Sequence, residues 1–112
     1  MKLSQKLTKE QTDPYFLEWA RLSAELAYLH ERRDKATGQA MQSSIKMFEQ
    51  LLLHCRSALQ DDEFEPLNGS ERLSFIKSSA RTYAAYRQLD ELFSELKKIL
   101  ARKRIEFNQQ SE

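Results

Sequence analysis

Two short pairs of residues in this 112-residue chain carry side chain types that bind metals or catalyse reactions. His30 lies four residues before Asp34, and because a helix places such residues on one face, the pair offers two ligands for a metal ion. No Glu-x-x-His pair and no cysteine–histidine spacing supplies further ligands. We therefore interpret the pair as polar residues on the flank of a helix, and we predict no metal and no other cofactor.

The second pair is His54 and Cys55, a base and a nucleophile in adjacent positions. Adjacent residues of a helix point about 100° apart, so the imidazole is poorly placed to activate the thiol. Cys55 also lies on an apolar stripe, where a free cysteine behaves as a small hydrophobic residue. The sequence contains no nucleophile elbow, phosphate-binding glycine loop or spaced acid pair either. We predict no catalytic residue, no enzyme activity and no small-molecule substrate.

Basic and aromatic residues in the C-terminal third suggest a different chemistry, the binding of nucleic acid or of an acidic partner. The segment 72–89 contains four cations and two tyrosines without an acidic residue, and five more cations fall within residues 97–104. Cations pair with phosphates, and tyrosines stack on unpaired bases. The candidate contacts are Arg72, Lys77, Arg81, Tyr83, Tyr86, Arg87, Lys97, Lys98, Arg102, Lys103 and Arg104. Cations near the end of a helix also complement its dipole, which is an explanation of the second cluster that needs no ligand.

The composition favours a soluble cytoplasmic protein. Hydrophobic residues make up 40% of the chain and charged residues 31%, which is too apolar for a disordered protein, while no apolar run is long enough to span a membrane. The N-terminus lacks the apolar segment of a signal peptide, and the single cysteine cannot form an intrachain disulfide. The formal net charge of +1 gives the whole molecule no preference for nucleic acid or for an acidic partner.

Helical periodicity, interrupted by only two glycines and two prolines, predicts an all-α fold. Asp13 and Pro14 form a helix start signal, and an acidic loop with Pro66 and Gly69 separates the later segments. The expected helices span about residues 14–36, 40–60 and 70–107, in one antiparallel bundle formed by residues 13–108. Residues 1–12 are expected to be a mobile N-terminal segment and residues 109–112 a frayed C-terminus.

Gly38 leaves one alternative open, because a single glycine inside a helix costs only about 1 kcal/mol. If Gly38 does not break the chain, the first two helices are continuous and each chain is a long two-helix hairpin. Such a hairpin has little core of its own and would dimerise into a four-helix bundle.

The predicted helices differ in length, which suggests a protein interface. The first two span roughly 30 to 35 Å and the third about 55 Å, so the third is expected to extend beyond its neighbours. Burial of each large apolar side chain there would yield about 1.5 to 3 kcal/mol. The predicted partner interface consists of Leu89, Phe93, Leu96, Ile99, Leu100 and Phe107.

From this length difference the sequence predicts a non-enzymatic protein–protein interaction or regulatory module that acts through an amphipathic helix. We expect it to be a homodimer or a subunit of a larger assembly. The alternative is a nucleic-acid-binding accessory protein that uses the basic face of the third helix.

Overall fold

A computed structural model describes residues 7–110, apart from the side chains of Asn108 and Gln110, and this range contains four helices and no strand. The helices are α1 (Lys9–Arg32), α2 (Thr37–Leu59), α3 (Gly69–Ser78) and α4 (Tyr83–Gln110). The predicted all-α fold is confirmed. The predicted count of three helices is wrong, because the segment expected to form one helix over residues 70–107 forms two.

The three long helices pack side by side, and the short α3 packs against α2 and α4. Arg104 near the end of α4 bonds to Leu7, whereas Tyr83 at the start of α4 contacts His30 near the end of α1. Helices α1 and α4 are therefore antiparallel. The turn between α1 and α2 consequently lies at the same end of the bundle as the turn between α3 and α4.

Helix α1 begins at Lys9, five residues earlier than the position that Asp13 and Pro14 predict. Leu7 and Thr12 are fully buried, and the Arg104 guanidinium donates to the Leu7 carbonyl oxygen at 2.7 Å and to the Thr12 hydroxyl. Residues 7–12 belong to the segment that was expected to be mobile, and in the structure these contacts join them to α4. Residues 1–6 of that prediction lie outside the described residues, as do residues 111 and 112 of the predicted frayed C-terminus.

The chain does break between α1 and α2, so the alternative of a continuous helix through Gly38 is wrong. The break falls at Arg33, which adopts the left-handed conformation (φ 53°, ψ 42°) and donates its amide to the His30 carbonyl oxygen. Asp34 accepts the amide of Ala36 at 2.9 Å, which closes the turn. Gly38 is not the residue that ends α1 and lies in the first turn of α2.

The break between α3 and α4 contains neither glycine nor proline. Thr82 caps the start of α4 at this break. Its hydroxyl donates to the Ser79 carbonyl oxygen at 2.8 Å and accepts the Ala85 amide at 3.1 Å. A threonine in this position caps the first free amides of a helix. The sequence signal was therefore a hydroxyl side chain, whereas the prediction relied on glycine and proline as the markers of a break.

An aromatic cluster forms the centre of the core. Trp19 stacks on Phe93 with ring centroids 4.6 Å apart, and Phe48 meets Phe93 edge-on at 4.9 Å. The Trp19 indole donates to Asp90 at 2.9 Å, which satisfies its buried N–H. Three helices thus contribute to one cluster around Phe93.

The six residues predicted to form a partner interface lie in or against this core. Leu89, Phe93, Leu96 and Leu100 are buried, while Ile99 and Phe107 are partly buried and pack against the cluster. The expected overhang is absent from the described residues, because α1 starts early and runs along α4, and because the loop residue Phe64 is also buried in the core. The length argument for an interface at these residues is therefore contradicted.

None of the helices within residues 7–110 combines the length and the apolar content that crossing a membrane requires.

Candidate functional site: a basic cleft at one end of the bundle

The turn between α1 and α2 and the turn between α3 and α4 meet at one end of the bundle and form a cleft of about 800 Å³. Three cations line it, each from a different segment: Lys35 from the first turn, Lys77 from the end of α3, and Arg81 from the second turn. The rest of the wall carries hydroxyl and amide groups, contributed by Ser78, Ser79, Thr82, Gln39 and Gln42. We call the surface formed by these eight residues and Gly38 the basic cleft.

No carboxylate lines the basic cleft, among the residues that the structure describes. Lys77 is partly neutralised, since its ammonium group lies 2.8 Å from a Glu49 carboxylate oxygen. Lys35 and Arg81 form no ion pair within residues 7–110. Among the described residues, the cleft therefore holds two cations that form no ion pair and a third, Lys77, that is paired with Glu49.

The first turn of α2 adds hydrogen-bond donors to the cleft. No acceptor for the amides of Gly38 and Gln39 occurs in the described part of the chain, as is usual at the start of a helix. The Arg81 side chain packs directly against this turn: a Cβ atom at position 38 would lie only 3.1 Å from its Nε atom. Glycine at 38 therefore lets the guanidinium lie close to the positive end of the α2 dipole.

Arg81 separates the basic cleft from a smaller pocket of about 310 Å³, which His30, Arg33 and Asp34 line together with Lys35, Thr37 and Gly38. Burial lowers the pKa of His30, so its imidazole is neutral at pH 7. The Nε2 atom of His30 is buried and has no hydrogen-bond partner within residues 7–110. No third histidine, cysteine, aspartate or glutamate lies with His30 and Asp34 in a group that could hold a metal ion, within the same residues.

Tyr83 is the first residue of α4 and follows Thr82, a residue of the cleft wall, but does not itself line the cleft. The residue is 57% exposed, and its ring packs edge-on against His30 at 5.7 Å and tilted against Tyr86 at 5.6 Å. Tyr86 is itself buried and donates its hydroxyl to the Ser23 carbonyl oxygen at 3.2 Å. Two ring contacts thus hold an exposed aromatic side chain beside the cationic groups.

The basic residues predicted along the third helix do not form one face. Arg72 is only 17% exposed and pairs with Glu95 at 2.5 Å, which links α3 to α4. Arg104 is held at the start of α1, as described above, and the Lys103 ammonium lies 5.7 Å from the Phe64 ring. Arg72 and Arg104 are thus engaged in hydrogen bonds within the fold, and Lys103 lies beside an aromatic ring.

Four further candidates, Arg87, Lys97, Lys98 and Arg102, are exposed along α4. The Lys97 ammonium lies 5.9 Å from the Phe16 ring. None of the four lines the basic cleft. Of the predicted contacts, Lys77 and Arg81 line the basic cleft, Tyr83 follows its wall residue Thr82, and the others lie elsewhere.

Sequence reasoning missed Lys35, Gly38 and His30 as parts of the candidate site. A signal is present, because Arg32, Arg33 and Lys35 shortly precede Gly38 in the sequence. Cations followed by a glycine are also typical of a helix C-terminus, so this pattern alone does not indicate a ligand. The proximity of these residues to Arg81 follows only from the antiparallel packing of α1 and α4.

The environment of Cys55 does not favour a reactive thiolate. The thiol is fully buried, and burial raises its pKa to about 11, against a smaller opposing effect from Arg104. A thiol with this pKa is almost entirely protonated at pH 7 and is a poor nucleophile.

Fold and site together define a small all-α protein with an anion-complementary cleft at one end of a helical bundle. A family model described as YpoC-like protein matches residues 9–108, so the chain belongs to that family. No curated protein and no solved structure matches the chain. The family description carries no activity, so the choice between possible functions rests on the cleft itself.

Proposed function

We propose that this protein is a non-enzymatic nucleic-acid-binding module that contacts the phosphate backbone through the basic cleft. The observation that carries the proposal is the convergence of Lys35, Lys77 and Arg81 from three separate segments on a cleft whose described wall has no carboxylate. Like charges brought together repel one another, and bound phosphates would offset that repulsion.

The near-neutral net charge does not oppose this proposal. Charge is screened beyond about 8 to 10 Å at physiological ionic strength, so a bound phosphate responds to the local cluster rather than to the total of +1. The first turn of α2 adds unpaired amides that can donate to a phosphate oxygen. The cleft therefore combines charge with directed hydrogen bonds.

Fluorescence anisotropy with a labelled single-stranded oligonucleotide tests the proposal. With two or three phosphate contacts, the affinity should fall about sevenfold to twentyfold between 50 and 200 mM salt. The double variant Lys35→Gln/Arg81→Gln should bind at least about tenfold more weakly at low salt and show a shallower salt dependence, because both uncompensated charges are gone.

The matched control is Lys98→Gln/Arg102→Gln, which removes the same charge from exposed positions of α4 outside the cleft. It should leave the affinity within about twofold of the wild type. An equal loss in both double variants, or no binding by the wild type at low salt, would refute the assignment of nucleic-acid binding to the basic cleft.

A second candidate function is contact with another protein or a second copy of the chain. It is favoured by a cleft of about 380 Å³ between α2 and α3 that contains Leu52, Leu53 and Leu73. Leu53 is 62% exposed there, beside the Glu49–Lys77 ion pair. Light scattering at increasing concentration tests this function, and association that Leu53→Asp abolishes would support it. Association unaffected by Leu53→Asp would exclude this cleft.

A further inference from the structure

We infer that the basic cleft and Tyr83 together select unpaired nucleotides, with a phosphate bound between Arg81 and the start of α2 and the adjacent base stacked on the Tyr83 ring. This inference rests on the proposed nucleic-acid function and adds a preference for single strands.

The position of the phosphate follows from the groups that surround Gly38. The Arg81 guanidinium lies against the first turn of α2, where the amides of Gly38 and Gln39 lack acceptors within residues 7–110. Lys35 borders the same space, since it lines both the basic cleft and the adjoining His30 pocket. An anion there would meet two cations and two N–H donors, which is a stronger site than an exposed lysine provides.

The position of the base follows from Tyr83, which is two residues from Arg81 and begins the helix that follows the cleft. Its edge contact with His30 and its tilted contact with Tyr86 restrict the ring, while the residue remains 57% exposed. A ring that is already fixed loses little conformational entropy when a base stacks on it. Stacking of this kind tolerates any base sequence.

The preference for single strands is a consequence of this arrangement. In a duplex both faces of each base are already stacked, so the Tyr83 ring has no free base to contact. A duplex would use the cations alone. The structure therefore predicts that Tyr83 contributes to the binding of single strands and contributes nothing to the binding of duplexes.

The test compares a labelled single-stranded oligonucleotide with a blunt-ended duplex of two annealed strands and equal phosphate number, by anisotropy at low salt. Tyr83→Ala should weaken single-strand binding about fivefold to a hundredfold and leave duplex binding within about twofold. Tyr83→Phe should retain the wild-type affinity for both, because it keeps the aromatic face. The variants should share the wild-type far-ultraviolet circular dichroism, since the substituted ring is exposed.

Tyr28→Ala is the matched control, because Tyr28 is similarly exposed (55%) on α1 and does not line the basic cleft. It should bind both ligands as the wild type does. If Lys35→Gln/Arg81→Gln weakens binding and Tyr83→Ala does not, the inference about single strands is wrong while the proposed function stands. If the wild type binds neither ligand, the proposed function is wrong and the inference falls with it.

Discussion

Truncation of Phe93 distinguishes a residue buried within one subunit from a residue at an interface between two. Phe93 is 1% exposed, stacks on Trp19 at 4.6 Å and meets Phe48 at 4.9 Å. Phe93→Ala removes a buried ring at the meeting point of three helices, and such changes cost about 3 to 5 kcal/mol. A chain of this length is stable by about 6 to 17 kcal/mol, so a substantial part of the total is lost.

Urea unfolding followed by tryptophan fluorescence measures the effect, because Trp19 is the only tryptophan and lies against Phe93. With a denaturant slope of about 1.5 kcal/mol per molar, the midpoint should fall by about 2 to 3 M. Since the ring is buried within one chain, the midpoint of the wild type and of the variant should not change with protein concentration.

Phe75→Ala is the matched control, because Phe75 is 45% exposed on α3 and undergoes the same chemical change. Its midpoint should shift by less than about 0.7 M, which corresponds to less than about 1 kcal/mol. The reasoning would be refuted if Phe93→Ala left the midpoint almost unchanged while it converted an oligomer into a monomer. That result would restore the interface that the helix lengths suggested.

Two further predictions follow from the ionisable groups. Burial raises the pKa of Cys55 to about 11. A thiol reagent at pH 8 should therefore label the folded protein at least about a hundredfold more slowly than the protein in urea. Equal rates would show that the thiol is accessible. The hydrogen bond from Arg72 lowers the pKa of Glu95, so the pair stabilises the fold above the ordinary glutamate pKa, and this contribution is lost as the pH falls through the lowered value. Glu95→Gln should therefore lower the urea midpoint at pH 7 by an amount equivalent to about 0.5 to 1 kcal/mol, and by much less at pH 3. If the difference between the wild-type and variant midpoints does not change with pH, the electrostatic role of the pair is contradicted.

The sequence predicted the helical class, because the apolar stripes are regular. Leu26 and Met41 lie on those stripes and are fully buried, and so is Leu96, which the sequence analysis assigned to a partner interface. The predicted span of the second helix, 40–60, differs from Thr37–Leu59 by three residues or fewer at each end. The periodicity of apolar residues indicates which residues share a helix face, and it can be read without knowing the tertiary contacts.

Helix ends were predicted less well, since two of them depend on contacts or conformations that the pattern does not encode. At the early start of α1, the Leu7 and Thr8 carbonyl oxygens accept hydrogen bonds from Arg104, which is more than ninety residues away in the sequence. The end of α1 uses a left-handed arginine, Arg33, where glycine is the usual choice. Because the chain breaks at Thr82, the predicted long third helix does not form, and the argument for an apolar overhang no longer applies.

The candidate site shows the same division between local pattern and tertiary contact. A run of cations in the sequence overstates the charge available for a ligand, because folding uses some of those cations for other purposes: Arg72 is paired with Glu95 and Arg104 holds the start of α1. Lys35 and Arg81 lie in turns and form no ion pair with a carboxylate within residues 7–110. A ligand site is indicated more strongly by unpaired charges that folding brings together from separate segments than by charges that are merely adjacent in the sequence. For this reason we favour the basic cleft over the basic stretch of α4 as the candidate site.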